Sequence, residues 1–183
     1  MNLDGSGVEV VAEGVRNTVG FDFDPKDGSL WFTDNGRDWM GDDQPEDELD
    51  HDTQPGKQHC GYPYCHQGML PDPEFGRGKN CADFAQPAWL LGPHAAALGM
   101  RFYGATLFPP KYRGAIFIAR HGPWNRSQKF AADVVAAFPD GKGGISKMEP
   151  FLGGLVENNR FLGRPVDVLV RKDGSLLVSD DLN

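Results

Sequence analysis

Asp27-Gly28-Ser29-Leu30 and Asp173-Gly174-Ser175-Leu176 are the same four residues met twice, each between two apolar runs. Before the first copy, Val19, Phe21 and Phe23 alternate with small or acidic residues, the period of a half-buried strand. After it, Leu30-Trp31-Phe32-Thr33 reads as a returning strand. The second copy repeats the arrangement: Val166, Val168 and Val170 alternate on the way in, and Leu176-Leu177-Val178 returns. Gly in each core can take the positive φ of a tight turn. A third, more degenerate unit lies between them. Leu98 to Tyr103 goes out, Phe108-Pro109-Pro110-Lys111-Tyr112-Arg113-Gly114 turns, and Ala115 to Ala119 comes back.

One Asp-Gly turn would fit any β-sandwich. Two aligned copies with matching flanks, and a third related hairpin, point to an all-β protein of the β-propeller type. Hairpins are expected near 18–36, 98–122 and 165–181, with a long loop insertion over about 38–95. The chain then reads as a single partial propeller domain, 1–183, of about three blades of an incomplete ring. Val8 to Val11 reads as the last strand of a blade that begins outside the chain. Asp180-Asp181-Leu182-Asn183 follows a returning strand where a blade still needs two outer strands.

Composition sets limits on function. The 183 residues are 39% hydrophobic and 24% charged, as in ordinary globular proteins. The net charge of -8 argues against nucleic acid or an anionic membrane as partner. No apolar run approaches the roughly 18 residues of a membrane span, and Met1-Asn2-Leu3-Asp4-Gly5 is not an export signal. The three cysteines are Cys60, Cys65 and Cys81. In an exported protein they would suggest one disulfide and a leftover thiol, and Cys65 to Cys81 would close a modest loop. Cys60-x4-Cys65-His66 departs from the Cys-x-x-Cys-His spacing of haem attachment. Gly-x-Ser-x-Gly, His-Glu-x-x-His and phosphate-binding glycine loops are all missing.

Antiparallel geometry sorts the polar residues. A hairpin places the start of its first strand and the end of its second at one rim, with the turn at the other. Arg16 and Asn17 should therefore meet Asn35, Gly36, Arg37 and Asp38. His94 should lie near Arg120, His121 and Trp124, and Arg164 near Asp180 and Asp181. Arginines gathered on one face of an acidic protein suit a ligand carrying carboxylates or phosphates; loop-anchoring salt bridges are the plainer reading. The acidic run Asp38 to Asp52 is either a solvated loop or a source of oxygen ligands for a hard cation.

These residues resemble the soluble pyrroloquinoline quinone (PQQ)-dependent sugar dehydrogenases, most closely the sorbosone dehydrogenase branch. The likeness is carried by Gly14-Val15-Arg16-Asn17, Leu30-Trp31-Phe32-Thr33-Asp34-Asn35-Gly36-Arg37-Asp38, Asp47-Glu48-Leu49-Asp50, Gly61-Tyr62-Pro63-Tyr64-Cys65 and Leu98-Gly99-Met100-Arg101-Phe102-Tyr103. Ile116 to Gly122 and Gly163-Arg164-Pro165-Val166-Asp167 continue it in the same order. The resemblance implies a six-bladed propeller with PQQ on one face and a bridging Ca²⁺. It also implies hydride transfer from a sugar's C1 hydroxyl to PQQ, with a cytochrome or quinone as onward electron acceptor. By position it assigns PQQ contacts to Arg16, Asn17, Asn35, Arg120, His121 and Arg164, and Ca²⁺ to the backbone carbonyls of Gly36 and Arg37. The full-length protein would be periplasmic or secreted. The family's general-base histidine belongs to an earlier blade without a counterpart here, so no catalytic residue is assigned and the isolated chain is expected to be inactive. Two other functions fit a propeller: a Ca²⁺-dependent hydrolase of the lactonase type, and a non-catalytic binding module.

Overall fold

The computed structural model describes residues 1–182, which form a partial β-propeller. The described residues contain no α-helix; single 3₁₀ turns stand at Cys81–Asp83 and Pro110–Tyr112. The first blade is a four-stranded antiparallel sheet of Thr18–Phe23, Leu30–Asp34, Glu46–Asp52 and Trp89–Pro93. The second has Ala97–Phe102, Ile116–Arg120, Asp133–Pro139 and Ile145–Leu152 in the same order. The third consists of Pro165–Val170 and Leu176–Asp180.

The repeated turns have one geometry. Asp27 Oδ1 accepts from the N–H of Ser29 at 2.8 Å and from its hydroxyl at 2.6 Å. Asp173 does the same for Ser175, at 3.0 and 2.6 Å. Gly28 and Gly174 both have positive φ, 77° and 86°. In each core the Asp is the acceptor, the Gly makes the left-handed turn and the Ser donates twice.

The second blade is buried on both faces, and its strands show why. Ile116 and Ile118, with Val135 and Ala137, pack toward Trp31, Leu49 and Leu91 of the first blade. The intervening Phe117 and Ala119, with Val134 and Ala136, pack toward Val168 of the third. The period-2 alternation of a strand feeds two cores at once. Burying a side chain such as Phe117 completely contributes about 1.5–3 kcal/mol.

Inner strands of successive blades approach closely, and glycines permit it. A Cβ on Gly20 would lie 2.1 Å from the Leu98 carbonyl oxygen, and one on Gly99 would lie 1.9 Å from Asp167 Oδ1. Polar groups then bind the blades. The Thr33 hydroxyl donates to Leu98 O at 2.8 Å, and Arg101 donates to Phe21 O at 2.8 Å.

Three expectations need correction. Residues 38–95 are not one loop: they supply the two outer strands of the first blade, Glu46–Asp52 and Trp89–Pro93. Asp38, Asp42 and Asp43 do lie on the preceding loop, but the acids of Glu46–Asp52 are largely buried, so that part of the run is a strand and not a solvated loop. Its even-numbered face lies under the segment that follows it, where the Gln67 N–H donates to Glu48 and Cys65 is bonded to Cys81. Its odd-numbered face meets the second blade through Leu49. Second, Val8–Val11 is not a strand; the adjoining Ala12–Glu13 pairs parallel with Gln58–His59. Third, Val19, Phe21 and Phe23 form an apolar face that is about half exposed, while Gly20 turns inward. In a propeller, that outer face is where a neighbouring blade packs.

Candidate functional site

The loops at the rim opposite the Asp-Gly-Ser turns of the first and third blades enclose a cleft of about 230 Å³ lined by Arg16, Asn17, Asn35, Gly36, His94 and Trp124, among others. Asp34 builds its first wall. Its carboxylate accepts the backbone N–H of Arg16 at 2.9 Å and of Asn17 at 2.6 Å. The Arg16 guanidinium reaches Asn35 O and the Asp38 carboxylate, both at 3.1 Å. The Asn35 amide donates to Asn17 O and to Ala97 O, each at 3.1 Å, and so ties the cleft floor to the second blade. Burial raises the Asp34 carboxyl above its ordinary range despite these donors.

Gly36 is held by Asp47, whose carboxylate accepts the Gly36 N–H at 2.9 Å and the Ala97 N–H at 3.2 Å. A Cβ at Gly36 would come within 2.8 Å of Pro45 and 3.2 Å of Glu46 O, so any side chain there would force the Pro45 ring or the backbone to shift. Burial pushes the Asp47 carboxyl up to about 6. Arg37 turns its side chain outward, to Asp72 and Glu74. Burial alone would raise Asp72, but hydrogen bonds from Arg37, His66 and the N–H groups of Phe75 and Glu74 outweigh it and hold the carboxyl well below its usual range.

The remaining expected residues lie elsewhere. Arg120 does not line the cleft. Its guanidinium forms a bidentate pair with Asp133 at 2.8 and 2.6 Å and donates to Leu91 O at 3.0 Å. It is a clamp between the first and second blades. His121 contacts Asp181 at 2.8 Å through Nε2. Arg164 donates to His121 O at 3.2 Å and Gly122 O at 2.7 Å, and its guanidinium lies over the Phe161 ring at 4.5 Å. His121 and Arg164 thus form a second cluster, joined to the cleft through the hydrogen bond from His121 N to Ala96 O.

Hairpin geometry did place His94 and Trp124 at this rim. The His94 Nε2 lies 2.8 Å from Gly41 O and must carry the proton, because a carbonyl only accepts. Asp47 and Asn125 also line the cleft; both come from segments without a hairpin signal. Among the described residues, no three or more His, Cys, Asp or Glu side chains are grouped to hold a metal ion.

A family model described as Glucose / Sorbosone dehydrogenase matches residues 1–122. The chain belongs to the glucose/sorbosone dehydrogenase family. A relative in Borreliella burgdorferi, itself an uncharacterized protein, is 37% identical over 99% of this chain and 48% of its own length. Among solved structures, the Trichoderma reesei Carbohydrate-Active Enzymes Family AA12 protein is similar with a TM-score of 0.72 and 20% identity, over 93% of this chain and 51% of that one. The PQQ domain of Pyranose Dehydrogenase from Coprinopsis cinerea gives 0.68 and 22%, over 93% and 52%. The soluble aldose sugar dehydrogenase of Escherichia coli gives 0.62 and 22%, over 98% and 46%. At these identities the structures establish the propeller fold. The family member described here spans about half the length of the proteins it matches.

Proposed function

We propose that this chain is part of a PQQ- and Ca²⁺-dependent sugar dehydrogenase of the aldose or sorbosone type, and that the Arg16 cleft is its cofactor site. The observation that carries the reading is the convergence of Arg16, Asn17, Asn35 and Gly36 on one cleft. PQQ carries carboxylates and quinone oxygens. Arg16 offers a planar fork for one of them, and Asn17 and Asn35 offer amides. The Gly36 and Arg37 carbonyls suit a hard cation. When bound, the cofactor would accept hydride from the sugar, with the metal polarising the quinone.

This chain's own residues bind and orient. Asp34 fixes the Arg16-Asn17 backbone, Asn35 braces the floor, and Asp47 holds Gly36 so that the neighbouring carbonyls stay in place. His121 and Arg164 supply a second basic surface beside the cleft. Arg120, engaged by Asp133, serves as scaffold. The general base for the sugar hydroxyl is assigned to no residue of this chain, so the 183-residue chain alone binds PQQ without turnover. Electrons would pass onward to a cytochrome or a quinone, in the periplasm or outside the cell.

The test is a titration of the purified chain with PQQ and Ca²⁺, followed by quinone absorbance, together with a dye-reduction assay using glucose and sorbosone. The expected result is a saturable, Ca²⁺-dependent spectral shift without dye reduction. The absence of any shift refutes the cofactor site, and steady dye reduction refutes the claim that the base lies elsewhere.

A further inference from the structure

We propose that Trp39 and Trp124 form a carbohydrate-stacking ridge that seats a neutral pyranose ring at the mouth of the Arg16 cleft; the proposal rests on the sugar-dehydrogenase reading above. The two indoles are 79% and 60% exposed. They meet edge to face, with ring centroids 5.2 Å apart and planes at 81°. Exposed single apolar side chains need no explanation, but this pair is built. Its members come from loops of two different blades, and those loops are locked to each other. Asn125 donates to Asp38 at 2.9 Å, Arg126 to Asp42 O at 2.7 Å and to Asp43 at 2.6 Å, and the Ser127 N–H to Asp42 at 3.1 Å. Trp39 is held at φ 65°, a left-handed conformation unfavourable for so bulky a residue. The fold thus keeps two large indole faces in water, on rigid supports and at a conformational cost.

Position and surroundings name the ligand. Trp124 lines the Arg16 cleft, and Trp39 lines an adjoining cavity of about 310 Å³. The two cavities share Arg16 and Asp38, so the ridge stands where they meet. A pyranose has an apolar C–H face edged by hydroxyls. An aromatic face flanked by carboxylate, amide and guanidinium groups satisfies both parts. Asp38, Asp42 and Asp43 around the ridge are already engaged by Arg16, Asn125, Arg126 and Ser127, so the ridge offers, among the described residues, polar hydrogen-bonding groups without a free cation, which suits a hydroxyl-rich neutral ligand.

The test is a titration of the 183-residue chain with glucose and with maltose, read by tryptophan emission and by saturation-transfer NMR. The variants are Trp39→Phe, Trp39→Leu, Trp124→Phe and Trp124→Leu, each checked for fold by circular dichroism. Saturable binding is expected. Each Leu variant should weaken it by about threefold to tenfold, the range expected for losing one aromatic contact. Each Phe variant should retain most of it, which separates loss of a flat face from loss of apolar bulk. Sugar binding that is absent, or equal in the wild type and both Leu variants, overturns the proposal. Should a Leu variant misfold, selective saturation of the wild-type indole protons decides: transfer to the sugar's C–H protons supports the ridge, and its absence overturns it. Sugar binding without any PQQ and Ca²⁺ response would refute the dehydrogenase reading and leave the ridge standing. The reverse result would refute the ridge alone.

Discussion

The Asp34 carboxylate accepts the backbone N–H of Arg16 at 2.9 Å, and its second oxygen accepts that of Asn17 at 2.6 Å. One buried acid therefore sets the direction of the two residues that open the cleft. Asp34→Ala leaves two N–H groups without acceptors and should cost about 1–3 kcal/mol of stability. It should also weaken PQQ binding, because Arg16 loses its backbone anchor. Arg16→Lys should leave stability within about 1 kcal/mol, since the pair it breaks is partly exposed, yet weaken PQQ binding by about tenfold or more, because an ammonium cannot form the bidentate fork. Urea denaturation and quinone absorbance read the two effects separately.

Gly20 is required by the packing of two blades rather than by a turn. Its missing Cβ would stand 2.1 Å from Leu98 O. Gly20→Ala must push the inner strands apart and should cost about 1–3 kcal/mol. Gly28→Ala offers a control: nothing lies within 4 Å of its Cβ position, so only the positive φ of 77° is penalised. Thermal melts of both should show the larger drop for Gly20→Ala.

Arg120 gives a sharp contrast with Arg16. Its fork is fully engaged by Asp133 and Leu91 O, and both partners of the ion pair are mostly buried. Arg120→Gln should destabilise by about 3 kcal/mol, because Asp133 is left uncompensated. Per folded molecule, the PQQ response should be unchanged. A lost PQQ response in folded protein would return Arg120 to the cofactor site.

The buried acids set an unusual pH dependence. Burial raises Glu48 and Asp50 well above their ordinary values, and neighbouring acids, Asp50 for Glu48 and Asp34 for Asp50, add to it. Asp50 Oδ2 is also without a hydrogen-bond partner among the described residues. A raised carboxyl binds its proton more tightly in the folded state. Its contribution to stability is therefore full at low pH and is lost as pH rises above the unfolded value, 3.8 for Asp and 4.5 for Glu. Asp47, at about 6, acts in the same direction between 3.8 and about 6. The metal-free chain should melt at a higher temperature at mildly acidic pH than at pH 8 or so, and Asp50→Asn should flatten that slope. Asp72 is shifted the opposite way, and its contribution is lost only as pH falls below 3.8, outside this window.

The thiols can be told apart chemically. Cys65 and Cys81 are joined, and Cys60 is free and buried. Burial, with the Asp50 carboxylate nearby, pushes the Cys60 thiol up to about 12. Iodoacetamide should leave the native chain unmodified at neutral pH and label one site on unfolding. Reducing the disulfide, which closes a loop of 16 residues' separation, should cost about 3 kcal/mol.

The Asp-Gly-Ser-Leu repeats, the alternating runs around them and the turn glycines determined the hairpins, because these depend on neighbours within a few residues. The same repeats told which residues share a rim, since antiparallel pairing follows from the turn alone. Arg16, Asn17, Asn35 and Gly36 were legible for that reason. What the tertiary structure decided was partnership across blades. Nothing local in Arg120 distinguishes a clamp from a ligand until Asp133 and Leu91 O are brought to it. Nothing in the run from Glu46 to Asp52 says it is a buried strand, because the covering segment is closed by a disulfide whose cysteines lie 13 and 29 residues after Asp52. Trp39 and Trp124 are 85 residues apart in sequence and become one feature only where two blades place their loops side by side.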